Sequence, residues 1–215
     1  GVLVGIINGV FIVKLKMVPF IMTLAMTNVL TGIGQVITKA ALQPVRTSGF
    51  QPSSVKLGSV SMIVIIALLF AALFHFLLKY TVYGRHLTAQ GNNNEAARKL
   101  GIHTERNALI AYTICGAMAG LGGILSAGQV GAISSNFASG NEFDIIPAAV
   151  LGGISLFGGK GSVLPGALIG IVLVNTITNG LTMMAANPYV YTIVRGVIIF
   201  IAVMLDSINY KGELR

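Results

Sequence analysis

Hydrophobic runs of membrane-crossing length dominate this chain. A helix that spans a bilayer needs about 20 mostly apolar residues. Residues 17–38, 57–78, 107–127 and 163–184 each supply such a run, and residues 189–205 supply a last, slightly shorter one. Pro19 stands in the first turn of the 17–38 run, where its missing N–H costs the helix little. Two further apolar segments are shorter. Residues 2–13 read as the end of a span. Residues 143–157 close on Gly158-Gly159-Lys160-Gly161 and read as a discontinuous or partly re-entrant helix. The expected fold is an all-α polytopic membrane protein, a bundle of about six transmembrane helices with one partial at the N-terminus and one short or discontinuous.

Composition agrees. The 215 residues are 54% hydrophobic and 9% charged, with a mean hydropathy of +0.85. Soluble domains carry roughly 25% charged residues. A net charge of +8 raises the question of nucleic acid, but a nucleic-acid patch needs a soluble polar face, and here the charge sits in short connectors. Cys115 lies alone in an apolar run and reads as a small packing residue. The chain opens on Gly1 inside a hydrophobic run, with Lys14 and Lys16 after the run rather than before it. A preceding N-terminal portion is therefore expected.

The connectors fix an orientation. With one crossing per segment, Lys14, Lys16, Lys79, Arg85, Arg98, Lys99, Arg106, Lys160, Lys211 and Arg215 fall on one side, and Lys39, Arg46 and Lys56 on the other. The positive-inside rule makes the richer side cytoplasmic, C-terminus included, and counts residues 143–157 as a full crossing. The long polar insert, residues 83–106, is then cytoplasmic. Within it the run from Asn92 to Gly101 reads as a short helix, with Asn94 able to cap it and Gly101 able to end it. Such a helix is either an amphipathic connector along the membrane surface or a coupling helix that docks on a cytoplasmic ATPase.

Other patterns bear on packing and pathway. Gly116, Gly120 and Gly123 on one helix, and Gly166 and Gly170 on another, let helix backbones approach closely in lipid. Glu142 and Asp144 open one apolar segment and Arg195 lies inside another. Charges at such depth pair or line a cavity, so Arg195 is expected to pair with one of the two carboxylates or to shape an outer gate with them. Asp206 reads as an interfacial residue. Asn175, Thr178, Asn179 and Thr182 form a polar stripe on one helix face, suited either to bonds between helices or to a translocation path. The glycine-rich run 152–162 is no phosphate loop, because Gly161 separates Lys160 from Ser162. His75, His86 and His103 are scattered, without metal-ligand spacing.

Several of these stretches resemble one known family. The run GRHLTAQGNNNEAARKLGI, with Glu95-Ala96-Ala97 ahead of Gly101, is similar to the cytoplasmic signature of bacterial ABC-transporter permeases, in the form found in the ribose/xylose/arabinose (simple-sugar) family. Pro19-Phe20-Ile21-Met22-Thr23-Leu24, the block EFDIIPAAVLGGISLFGGKG, Asn179-Gly180-Leu181, Arg195-Gly196 and Ala202-Val203 with Asp206 resemble further blocks of that family in the same order. Pro147 and Ala25 depart from its usual small residues, and the family's leading segment is missing.

The resemblance implies a single transmembrane permease domain over residues 1–215, the C-terminal two-thirds of a full permease, with residues 83–106 as its cytoplasmic coupling loop. It implies a monosaccharide importer subunit of a bacterial inner membrane, not an enzyme and without a cofactor of its own, since ATP is bound by a partner. The implied partners are an ATP-binding cassette subunit, an extracytoplasmic sugar-binding protein, a second permease copy or paralogue and membrane lipid, with no nucleic acid. Asn93, Glu95, Ala96, Ala97 and Gly101 are the implied ATPase contacts. Glu142, Asp144, Asn175, Asn179 and Arg195 are the candidates for pathway or gate. The competing reading is an ion- or proton-coupled secondary carrier, which calls for paired broken helices and a carboxylate relay at mid-membrane. No carboxylate lies near the middle of any run.

Overall fold

A computed structural model describes residues 1–44, 56–57, 60–184 and 187–213. Among these residues the helices are α1 (Val2–Lys14), α2 (Pro19–Thr38), α3 (Met62–Tyr80), α4 (Val82–Asn92), α5 (Asn94–Lys99), α6 (Thr104–Val130), α7 (Glu142–Leu151), α8 (Leu168–Met183) and α9 (Pro188–Glu213). A π-helical turn, Val163–Ala167, precedes α8. Five helical stretches are long and apolar enough to cross a membrane: Pro19–Thr38, Met62–Tyr80, Thr104–Val130, Val163–Met183 and Val190–Ile208. They coincide with the five full runs of the sequence, and the fold is that of a polytopic all-α membrane protein.

The boundaries shift in places. The 57–78 run becomes helical only at Met62, because Lys56–Leu57 and Val60–Ser61 pair as a short antiparallel ladder. The last helix continues two turns past Leu205 and carries Asp206. Residues 45–55, with Arg46, lie outside the described residues, as does Arg215.

The chain divides into two compact units, Gly1–Leu69 with His103–Phe137 and Phe70–Ile102 with Ala138–Arg215. In the first, α1 packs along α6 through glycines. A Cβ on Gly5 would stand 2.5 Å from the Tyr112 carbonyl oxygen, and one on Gly116 would stand 2.8 Å from the Gly5 Cα. Of the row 116, 120 and 123, only Gly116 and Gly120 face α1, whereas Gly123 has nothing near it. The end of α2 is tied to the segment after α6. Thr38 and Ser135 share a hydroxyl hydrogen bond of 2.9 Å, Gln35 donates to Asn136 at 3.3 Å, and Gln43–Pro44 pairs antiparallel with Ala132–Ile133.

In the second unit α7 packs on α8 and α9. At ten residues α7 is about 15 Å long, half of a bilayer's hydrocarbon core. Its helix stops at Leu151, before a glycine-rich loop in which Gly153 adopts φ +82°. The stretch expected over 143–157 is therefore a half-length helix followed by loop. Gly170 lies against the Ala148 carbonyl, and a Cβ on Gly152 would meet the Gly166 oxygen at 2.5 Å. Pro147 is fully buried in α7. The buried apolar residues are mostly small, including Ala148, Val150, Val174 and Ala202, while Leu69, Phe200 and many large side chains face outward. Chains that put bulky apolar groups outside and small ones inside match a lipid solvent, where close backbone packing replaces the hydrophobic drive.

The glycine contacts give a direct prediction. Gly116→Ala should lower stability by about 1–3 kcal/mol, the usual cost of forcing atoms into a packed contact. Gly122→Ala, which meets nothing within 4 Å, should be neutral or slightly stabilising. Thermal unfolding of the detergent-purified protein checks both, and equal effects at the two positions would contradict the packing described.

Candidate functional site

The polar insert holds two helices where the sequence suggested one. Thr81 caps α4, its Oγ1 accepting the Gly84 N–H at 3.3 Å. Gly84 packs so closely on the Leu78 carbonyl that no Cβ fits there. Burial pushes the Tyr83 phenol up from its ordinary pKa, so that side chain stays neutral. A kink at Asn93, in extended conformation, then starts α5.

Asn93, not Asn94, is the cap of α5. Its Oδ1 accepts the Ala96 N–H at 2.9 Å. At the other end Ile102 N–H donates to the Ala97 carbonyl and Gly101 N–H to Arg98, with Gly101 at φ +81°. This pair of bonds is the Schellman termination that favours glycine. Ala97 is buried at 2% exposure, while Glu95, Ala96 and Leu100 lie on the surface. Glu95 pairs with Lys99 at 3.3 Å, but both side chains are over three-quarters exposed, so the pair contributes little. Leu100, 79% exposed, was not anticipated. An apolar residue at a helix C-cap looks in sequence like an ordinary closing contact, and only the structure turns it outward.

Next to α4 runs the glycine-rich loop that follows α7. Asn92, the last residue of α4, accepts the Gly159 N–H on its Oδ1 at 3.0 Å, and Gly159 is pressed against the Thr88 carbonyl and Gly91. On its other side the loop is held by Asp206 of α9, whose Oδ2 accepts the Leu156 N–H at 2.7 Å. Asp206 thus has a definite partner beyond the interfacial role expected of it. Asn92, Ser155, Lys160 and Asp206 line a cavity of about 370 Å³ at this junction. The loop is strapped to the insert at one point and to α9 at another.

Eleven residues earlier on α9, roughly 16 Å along its axis, Arg195 faces the start of α7. Its Nη2 pairs with the Asp144 carboxylate at 2.5 Å, and Nη1 donates to the Gly140 carbonyl at 3.1 Å. Glu142 takes a different partner, the Gly140 N–H at 3.0 Å. Of the two candidate carboxylates, Asp144 holds the arginine and Glu142 secures the turn before α7. Both charges of the pair are about one-third exposed.

The polar stripe of α8 does not reach across to other helices through the bonds that form. Asn175 donates to the Ile171 carbonyl, Thr178 to Val174 and Thr182 to Thr178, each at 2.9 Å. The carbonyl four residues back is always within reach on a helix, so it outcompetes a neighbouring helix. Asn175 and Asn179 are exposed.

Apolar spans, a capped polar insert and a half-length helix define a polytopic all-α membrane protein. Residues 1–203 match the family described as "Branched-chain amino acid transport system / permease component", and the chain belongs to that family. It is 36% identical over 221 residues to the galactose/methyl galactoside import permease protein of Escherichia coli, covering 99% of this chain and 66% of that one. It is 33% identical over 215 residues to the ribose import permease protein of Escherichia coli, with 96% and 66% covered. It is 30% identical over 218 residues to the fructose import permease protein of Rhizobium meliloti, with 96% and 60% covered. The chain thus spans just under two thirds of the length of these relatives. No solved structure matches it.

The capping geometry of α5 can be checked directly. Asn93→Ala removes a cap that contributes about 1 kcal/mol, and amide exchange across residues 96–100 should then quicken about fivefold with α8 unchanged. Exchange unaffected by Asn93→Ala but quickened by Asn94→Ala would transfer the cap to Asn94.

Proposed function

We propose that this chain is the membrane-spanning portion of a permease subunit in an ATP-driven importer for a monosaccharide, set in a bacterial inner membrane. Family membership supports the permease role, and the sugar names of three separate relatives support the substrate class. The observation that carries the mechanism is α5: a helix of six residues, locked at both ends, buried at Ala97 and turned outward at Glu95, Ala96 and Leu100. A helix that short is not stable by itself, so its capping and anchoring serve to present a rigid outward face.

In this reading the outward face docks on a cytoplasmic ATPase, and ATP-driven movement of that partner displaces the insert. Asn92 passes the displacement to the glycine-rich loop, and Asp206 links the loop to α9. Pairing of Asp144 with Arg195 then couples the far ends of α7 and α9, where a sugar-binding protein would deliver its load and where Glu142 steadies the turn. Asn175 and Asn179, exposed on α8, supply the amides that a sugar pathway needs. A second permease copy or a paralogue completes the pathway. This is alternating access by rigid-body motion transmitted through a docked helix. The insert and the C-terminus lie on one side in this arrangement, because Asn92 and Asp206 hold the same loop, and the basic charge of the insert makes that side cytoplasmic. A secondary carrier is not favoured: the relatives are import permeases, and Asp144 and Asp206 belong to the two ends of the α7–α9 packing rather than its middle.

The test is association. Introducing Ala96→Arg or Leu100→Asp in the full-length transporter should reduce co-purification of the ATPase at least tenfold, as a buried unpaired charge at the centre of an interface costs several kcal/mol. Sugar uptake should fall with it while the permease still inserts. Wild-type association and uptake in both variants would sink the docking role of α5.

A further inference from the structure

The second unit carries a larger cavity that transport does not call for. About 970 Å³ in volume, it is bounded by the end of α3, by α4 and by the glycine-rich loop that leads to the π-helical turn. Lys79, Arg85 and Lys160 line it, and no Asp or Glu does. Its apolar wall includes Leu78, Leu164 and Pro165, and the Leu164 N–H is fixed to α3 by a 3.3 Å hydrogen bond to His75 Nδ1.

Position narrows the ligand. Lys79 closes the 19-residue apolar helix α3, whose hydropathy marks it as a span with no buried residue. A lysine at the end of a span sits at headgroup level, with its stem in hydrocarbon and its ammonium at the interface. Lys79 and Arg85 face one cavity with no carboxylate in its lining, so an anion there is favoured, and an apolar wall beside them has no use for a free, fully hydrated anion. A group with a phosphate at one end and acyl chains at the other satisfies both walls. Basic pockets among transmembrane helices bind acidic lipid headgroups on these grounds.

We propose that this cavity is a binding site for an anionic phospholipid, its phosphate held by Lys79 and Arg85 and its glycerol and chains lying along Leu78, Leu164 and Pro165. The site is separate from the outward face of α5, although it shares α4 and the loop with the strap. A bound lipid would brace the loop from the membrane side.

Native mass spectrometry of the full-length protein, titrated with phosphatidylglycerol, phosphatidylethanolamine or inorganic phosphate, tests this. The wild type should retain phosphatidylglycerol preferentially. Lys79→Gln and Arg85→Gln should each weaken retention roughly fivefold and the double variant about thirtyfold, while Lys14→Gln with Lys16→Gln leaves it unchanged. The single variants keep the test decisive should the double variant misfold. Arg85→Lys, which keeps the charge, should retain most of the binding. Equal retention of the two lipids, equal losses in the cavity and control variants, or displacement of phosphatidylglycerol by millimolar inorganic phosphate would each overturn the proposal. So would loss of a co-purifying protein in the cavity variants with lipid retention intact.

Discussion

Backbone groups near hydrocarbon must find partners inside the protein, and the stretch after α7 is where that demand is hardest to meet. The helix stops at Leu151, and residues 152–161 no longer satisfy one another through a helical ladder. Side chains from two other elements take over: Asn92 receives the Gly159 N–H and Asp206 receives the Leu156 N–H. Ser155 N–H closes the loop on the Lys160 carbonyl at 3.0 Å. A necessity of solvation thus produces a mechanical link, because the groups that satisfy the loop belong to the polar insert and to a long apolar helix. Gly159 permits it, since any side chain there would collide with the Thr88 carbonyl.

Close packing at small residues governs the rest. α7 lies against α8 through Ala148, Gly152, Gly166 and Gly170, and α1 lies against α6 through Gly5 and Gly116. Backbones this close make contacts that cannot slide gradually, so motion transmitted to α7 or α9 moves the helices as bodies. The Asp144–Arg195 pair closes the opposite end of the same packing. Its partial exposure makes it less costly to break and re-form than a fully buried pair would be.

Much of this was legible before any coordinates. The apolar runs located five spans to within a few residues, and Gly101 marked the end of α5 because termination needs a positive φ there. Three consecutive asparagines hid the cap: each could serve, and only the backbone turn at Asn93 selects one. Nothing in the apolar pattern marked α4, where Gly84 is present for its approach to Leu78 and Thr81 caps the start. Glu142 and Asp144 stand two apart on a helix, so they point in different directions, and hydropathy has no means of choosing between them. The strap was out of reach, since its two bonds join residues 67 and 50 positions apart in the chain. Such contacts leave no periodic trace.

The link through the glycine-rich loop is the central claim, and the ratio of sugar imported to ATP hydrolysed tests it most directly. In the reconstituted full-length transporter, Asn92→Ala and Asp206→Ala should leave ATPase docking and hydrolysis in place while the ratio falls about tenfold, the effect of losing roughly 1.4 kcal/mol of coupling. Asp206→Asn, which keeps an acceptor for the Leu156 N–H, should preserve most of the ratio. An unchanged ratio in both alanine variants would contradict the account.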